Sequence, residues 1–132
     1  MKACVVGAGA IGGILAARLA HAGHEVSAIA RGAHLQAIQE RGLTLKWAGE
    51  QFTVDIRATS DASDMEPQDY VILTVKAPAL PGIAPSLMPL LGPQTTIVTA
   101  MNGVPWWFCH ALTGPLAGRT LSSTDPNGLL GE

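Results

Sequence analysis

The sequence is poor in charge. Only 14% of its 132 residues are Asp, Glu, Lys or Arg, and eight basic side chains against ten acidic ones leave a formal net charge of −2. There is no basic run, so nucleic-acid binding has no electrostatic support. Cysteine is limited to Cys4 and Cys109, with no metal-ligand spacing, so no metal site is expected. That usage fits a reduced, cytoplasmic setting better than a secreted one. Cys4 falls in an apolar run, where its expected role is that of a small buried hydrophobe. Long hydrophobic runs are also missing. Met1-Lys2 followed by the uncharged stretch Ala3 to Ala17 resembles a signal peptide. It carries Gly7, Gly9, Gly12 and Gly13 where a turn needs them, continues amphipathically through Arg18, and is too short to span a bilayer. No targeting or membrane-spanning segment is read.

What is present is apolar: 48% hydrophobic residues, in a chain long enough for one domain with a sizeable core. This composition suits a parallel sheet covered on both faces. The chain is organised around its first stretch. Ala3-Cys4-Val5-Val6 reads as a buried strand. It runs into Gly7-Ala8-Gly9-Ala10-Ile11-Gly12, after which Ile11, Ile14, Leu15 and Leu19 recur at helical spacing. Strand, glycine turn, helix is the order of a dinucleotide-binding βαβ unit. Gly7 permits the tight turn, Gly9 lets a pyrophosphate approach the backbone, and Gly12 lets the helix lie close on the sheet. The unpaired N–H groups of the helix's first turn attract phosphate. The alternative is a tight strand-to-helix turn that binds nothing.

Further along, Gly23 stops the first helix and Glu25 to Ala30 forms a second strand. His21 and His24 flank the turn between them as surface polar residues. The position after the second strand faces an adenine ribose in such units, and an acid there favours NAD. This chain has Arg31. An arginine can pair with a 2′-phosphate, which argues for NADP; otherwise Arg31 is a solvated loop cation. Ala33 to Arg41 reads as a helix with Leu35 and Ile38 inward and a solvent-facing His34. Leu43 to Trp47 and Gln51 to Ile56 form a β-hairpin inserted into the βαβ pattern, with Trp47 packed on it. Arg57 to Gln68, with Asp61, Asp64, Glu66 and Asp69 irregularly spaced nearby, reads as a solvated connection. Tyr70 to Val75 is a buried strand ending at Lys76. Pro78, Pro81, Pro85 and Pro89 break any long helix in the following segment, and Met88 is expected to fill core. Thr95 to Met101 is another strand, ending at Asn102. Pro105 to Leu112 reads as a short helix. Gly7, Arg31, Lys76 and Asn102 thus each follow a strand. If the strands are parallel, all four share the carboxyl edge of the sheet, where ligands bind.

These residues resemble the N-terminal domain of the ketopantoate reductase (2-dehydropantoate 2-reductase) family. The matching stretches are GAGAIG at 7–12, Arg31, the hairpin insertion, TVKA at 74–77 and MNGVPWW at 101–107. The resemblance implies an α/β, Rossmann-type, mostly parallel sheet with helices on both faces and a β-hairpin insertion. It implies reduction of 2-dehydropantoate to pantoate with NADPH, a step toward pantothenate. Gly7, Ala8, Gly9, Ala10, Ile11 and Gly12 would hold the pyrophosphate and Arg31 the 2′-phosphate. Lys76 would line the cofactor site, and Asn102 would stand near both nicotinamide and substrate. The Pro105-Trp106-Trp107 run marks only part of the family, which widens the expected substrate to similar 2-keto acids. Family members carry a second, helical domain with the proton-donating lysine. The expectation is therefore that residues 1–132 are an incomplete N-terminal domain lacking that second domain, without a catalytic residue of their own and inactive in turnover. Self-association through the truncated surface is expected. The competing reading is a non-catalytic nucleotide-binding or interaction module that keeps the fold.

Overall fold

The computed structural model describes residues 1–131. Five strands form one parallel sheet: β1 (Lys2–Val6), β2 (Glu25–Ile29), β5 (Arg57–Thr59), β6 (Tyr70–Leu73) and β7 (Thr96–Thr99). Their order is β5-β2-β1-β6-β7, and every pairing is parallel. The order reverses around β1, so the chain moves outward in both directions from the strand that carries the glycine turn. β3 (Leu43–Trp47) and β4 (Glu50–Val54) form a separate antiparallel pair.

Alternation along β1 builds two cores. Val5 faces one side with Ile72 of β6, its register partner. That side is covered by helix α1 (Ala10–His21), helix α2 (Gly32–Arg41) and the hairpin, burying Ala16, Ala17, Ile38, Leu43 and Leu45. Cys4 and Val6 face the other side with Val71 and Leu73. There the cover is irregular. The segment after β6 folds as a 3-10 turn (Ala77–Ala79), a single helical turn α3 (Leu80–Ile83) and a further 3-10 stretch (Ala84–Leu90). Leu80, Leu87 and Leu90 point inward while the prolines keep the segment from forming a longer helix.

The hairpin packs on α1 through its own contacts. Phe52 stacks on His21 with ring centroids 4.1 Å apart, the Arg18 guanidinium lies 5.7 Å from the Phe52 ring, and Arg18 pairs with Glu50 at 3.0 Å. His21 is thus exposed but engaged. Trp47, expected to pack on the hairpin, is more than half exposed.

Three expectations are corrected. Arg57 to Gln68 is more than a connection: it contains edge strand β5 and a 3-10 turn (Ala62–Asp64), with Ala62 and Met65 buried. A three-residue strand in polar sequence has too little alternation to read. Met88 is 63% exposed, because the 3-10 geometry rotates it away from the face that Leu87 and Leu90 share. Ile11, at the start of α1, is 58% exposed. Pro105 to Leu112 forms successive turns rather than a helix.

Candidate functional site

The site begins with a turn that admits only glycine at two places. Gly7 has φ +96°, and a Cβ there would lie 2.8 Å from Val75 Cγ1. At Gly12 a Cβ would collide with the Gly7 carbonyl oxygen and sit 2.5 Å from Thr74 Oγ1. The turn is also tied down. The Gly7 N–H donates to the Ile29 carbonyl at 3.0 Å, and Thr74 Oγ1 donates to the Gly7 carbonyl at 2.6 Å. Thr74 therefore fixes the turn from the neighbouring strand, a role that the bare glycine pattern does not reveal. A Cβ on Gly9, in contrast, would meet nothing within 4 Å. Gly9 is open towards whatever approaches it.

Gly9 is also the N-cap of α1, with no side-chain cap and no acid in the first turn. The free N–H groups of that turn retain their partial positive charge. Arg31 occupies the equivalent position at α2: it comes two residues after the end of β2 and is the N-cap, again with no acid in the first turn. Because β1, β2, β6 and β7 are parallel, Gly7, Arg31, Lys76 and Asn102 all emerge at the same edge of the sheet. That edge is the one expected from sequence.

Gly7, Ala8, Gly9, Ala10, Ile11, Arg31 and Lys76 line one open cleft of about 580 Å³. Gly12 lies behind it against the sheet. Asn102 is not in this cleft. It lines an adjoining one of about 370 Å³, continuous with the first through Ile11, Thr74, Val75 and Lys76. The exposed Ile11 thus belongs to the cleft and not to the core. His34, Ser60, Ile83, Ser86 and Leu87 also line the larger cleft. His34 is solvent-facing as expected, but the solvent it faces is the cleft. Ser60 was hidden in a stretch without strand periodicity.

No carboxylate lines either cleft, whereas Arg31 and Lys76 do. Among the described residues the ion pairs join Lys2 to Glu66 and Arg18 to Glu50, leaving both cleft cations free. The cleft is therefore built for an anion. Among the described residues no three or more His, Cys, Asp or Glu are grouped so as to hold a metal ion. Cys4 is fully buried, and burial pushes its thiol up. It is a packing residue and not a nucleophile. No helix among the described residues is long and apolar enough to cross a membrane.

Comparisons with known proteins agree with this architecture. The family model for ketopantoate reductase PanE/ApbA matches residues 3–105. A 2-dehydropantoate 2-reductase of Mesorhizobium japonicum is 49% identical over 131 residues, covering 98% of this chain. A crystal structure reported as a candidate ketopantoate reductase from Ralstonia solanacearum MolK2 superposes with a TM-score of 0.91 at 52% identity, over 97% of this chain and 40% of that one. The ternary structure of a D-mandelate dehydrogenase with NADH and anilino(oxo)acetate superposes at 0.71 with 30% identity, over 79% of this chain and 34% of that one. The chain spans 40% of the length of its Mesorhizobium relative. By sequence and by fold, the chain belongs to the ketopantoate reductase family.

Proposed function

We propose that this chain is the NADPH-binding half of a reductase that converts 2-dehydropantoate, or a similar 2-keto acid, to the 2-hydroxy acid. One observation carries the reading. The glycine turn, Arg31 and Lys76 share a cleft at the carboxyl edge of a parallel sheet, and no carboxylate lines it. The residues fit the cofactor on structural grounds: the backbone is open at Gly9, while Gly7 and Gly12 are conformationally and sterically required.

When bound, the nicotinamide supplies hydride. The chain's own residues bind and orient. The first-turn N–H groups of α1, with Gly7 to Gly12, hold the pyrophosphate. Arg31 makes a charge-assisted pair with the 2′-phosphate, and with no acid at this position nothing opposes it. Ala79, Ile83 and Leu87 offer an apolar wall to the adenine ring. Lys76 lies between the two clefts and attracts negative charge on cofactor or substrate. Asn102, in the adjoining cleft, would hydrogen-bond the nicotinamide or the keto group. The D-mandelate dehydrogenase relative was solved with NADH; Arg31 is the feature that assigns NADPH here.

Hydride transfer needs the carbonyl held about 3–3.5 Å from its donor in an oriented, water-excluded site. Lys76 and Asn102 are both exposed, so these residues alone leave the reacting carbon open to water. The 132-residue chain is therefore a binding half that does not turn over. Its exposed β7 edge, with Ile97 and Val98, and the exposed Val104, Trp107 and Phe108 favour self-association.

A thermal scan with added cofactor tests the reading. NADPH should raise the unfolding midpoint more than NADH at equal concentration. In a steady-state assay with 2-dehydropantoate the same chain should not oxidise NADPH. Equal shifts with both cofactors, or turnover at the ~1–1000 s⁻¹ usual for enzymes, would contradict it.

A further inference from the structure

Arg31 is not the only basic side chain at the start of α2. His34 follows three residues later, in the helix's first turn, and lines the same cleft. The N-cap and the third helical residue are the two positions whose side chains meet in a capping box. Here they are Arg31 and His34, and no side chain caps the helix. Between them Gly32 has φ +59°, and nothing lies within 4 Å of where a Cβ on it would stand. The space beside this turn is therefore open. Ser60 lines the cleft from the neighbouring strand end: it follows Thr59, the register partner of Ile29.

His34 borders two cavities, and neither gives it an acid. The charged side chains lining the cleft are Arg31 and Lys76. A hollow of about 330 Å³ on the other side, against α1 and β3, is lined by no charged side chain. Four residues along α2 stands the buried Ile38, so the helix offers no acid at that spacing either. Without a ligand the ring thus faces two cations and no counter-charge. A phosphate dianion beside Arg31 reverses that setting. It accepts a hydrogen bond from the ring, and the bond is strongest when the ring is an imidazolium. The coupling is reciprocal: the phosphate draws a proton onto the ring, and the proton tightens the hold on the phosphate.

We propose that His34 completes the 2′-phosphate site, taking up a proton as the phosphate enters, so that the preference for NADPH over NADH weakens as pH rises. This inference rests on the NADPH reading of the cleft and adds to it a specificity residue and a pH dependence. The ring acts only on a phosphate that Arg31 has placed. Arg31→Ala therefore removes both contributions, whereas a change at His34 removes one. NADH has no 2′-phosphate, so its binding neither draws on the ring's charge nor moves its proton.

The test is calorimetric titration of the 132-residue chain, and of its His34→Gln variant, with NADPH and with NADH. It is run at about pH 7 and about pH 8.5, where a phosphate monoester is already a dianion and an ordinary imidazole is mostly neutral. Two buffers of different ionisation enthalpy reveal any proton taken up. Glutamine keeps a hydrogen-bond donor without a charge, and it replaces an exposed helical residue, so the unfolding midpoint should hold. With the unaltered chain, NADPH binding should take up protons near pH 7 and weaken about threefold by about pH 8.5, while NADH binding does neither. His34→Gln should bind NADPH about three- to tenfold more weakly near pH 7, with no proton uptake, no pH trend and NADH unchanged. Absence of proton uptake by the unaltered chain, a result that needs no variant, would overturn the proposal and leave Arg31 as the whole phosphate site. Equal loss of both cofactors in His34→Gln would also overturn it, since the ring would then serve the part they share. Equal affinity of the unaltered chain for NADPH and NADH would overturn the cofactor reading and the proposal with it.

Discussion

At Gly12 the missing side chain is the structural requirement. A Cβ would occupy the space that the Gly7 carbonyl and Thr74 Oγ1 already fill. Gly12→Ala should therefore push α1 away from the sheet, cost ~3 kcal/mol of stability and abolish NADPH binding. Chemical denaturation checks the first effect and calorimetry the second. Gly9 behaves differently, since a Cβ there meets no protein atom. Packing within the chain therefore does not require its glycine. The glycine pattern already assigns the two positions different reasons, close packing at Gly12 and an open backbone at Gly9, and the distances agree with that. The place of Arg31 in the cleft is legible because it follows the second strand of a βαβ unit. Thr74 is not, because its hydrogen bond to Gly7 spans 67 residues of sequence. His34 and Ser60 are missed for a related reason. Each lines the cleft only because β2 and β5 end at the same level.

Among the elements, those with a strong period or a clear stop are read correctly. β1, β2 and β6 are apolar runs, and α1 and α2 end near Gly23 and Gly42, both with positive φ. β5 is three residues long in a polar context, and only its pairing with β2 makes it a strand. The helix expected from Pro105 to Leu112 fails because local spacing alone does not offset its ordering entropy. The exposed Val104, Trp107, Phe108 and Leu112 show how little apolar surface that segment buries here. The hairpin offers a direct test of element-scale reasoning. Its two-residue turn places Ala48 at φ +50° and Gly49 at φ +85°. Both central residues need positive φ in such a turn, and alanine resists it. Ala48→Asn should stabilise the chain by ~0.5–1 kcal/mol, seen as a higher denaturant midpoint at unchanged slope. A lower midpoint would show that the turn is held by other forces.

In the whole molecule, two cores of unequal regularity flank one sheet. The α1, α2 and hairpin side is built from periodic elements, and the 3-10 side is held by a few inward leucines. β7 closes the sheet on one side with most of its residues exposed, including Ile97 at 46% and Val98 at 38%. Unpaired strand edges and apolar surface of this kind seek partners. Sedimentation velocity should show dimers or larger species growing with concentration. A clean monomer at high concentration would count against this.

The proposed role of the cleft is that of an NADPH site selected by Arg31. Calorimetric titration with NADPH and with NADH, on the chain and on its Arg31→Ala variant, tests it most directly. Losing charge-assisted bonds to a phosphate should weaken NADPH by about 10–100-fold, while NADH, which lacks that phosphate, should change little. NADPH should bind more tightly than NADH to the unaltered chain, and that preference should be lost in the variant. Equal binding of the two cofactors by the unaltered chain, or a preference that survives in Arg31→Ala, would contradict it.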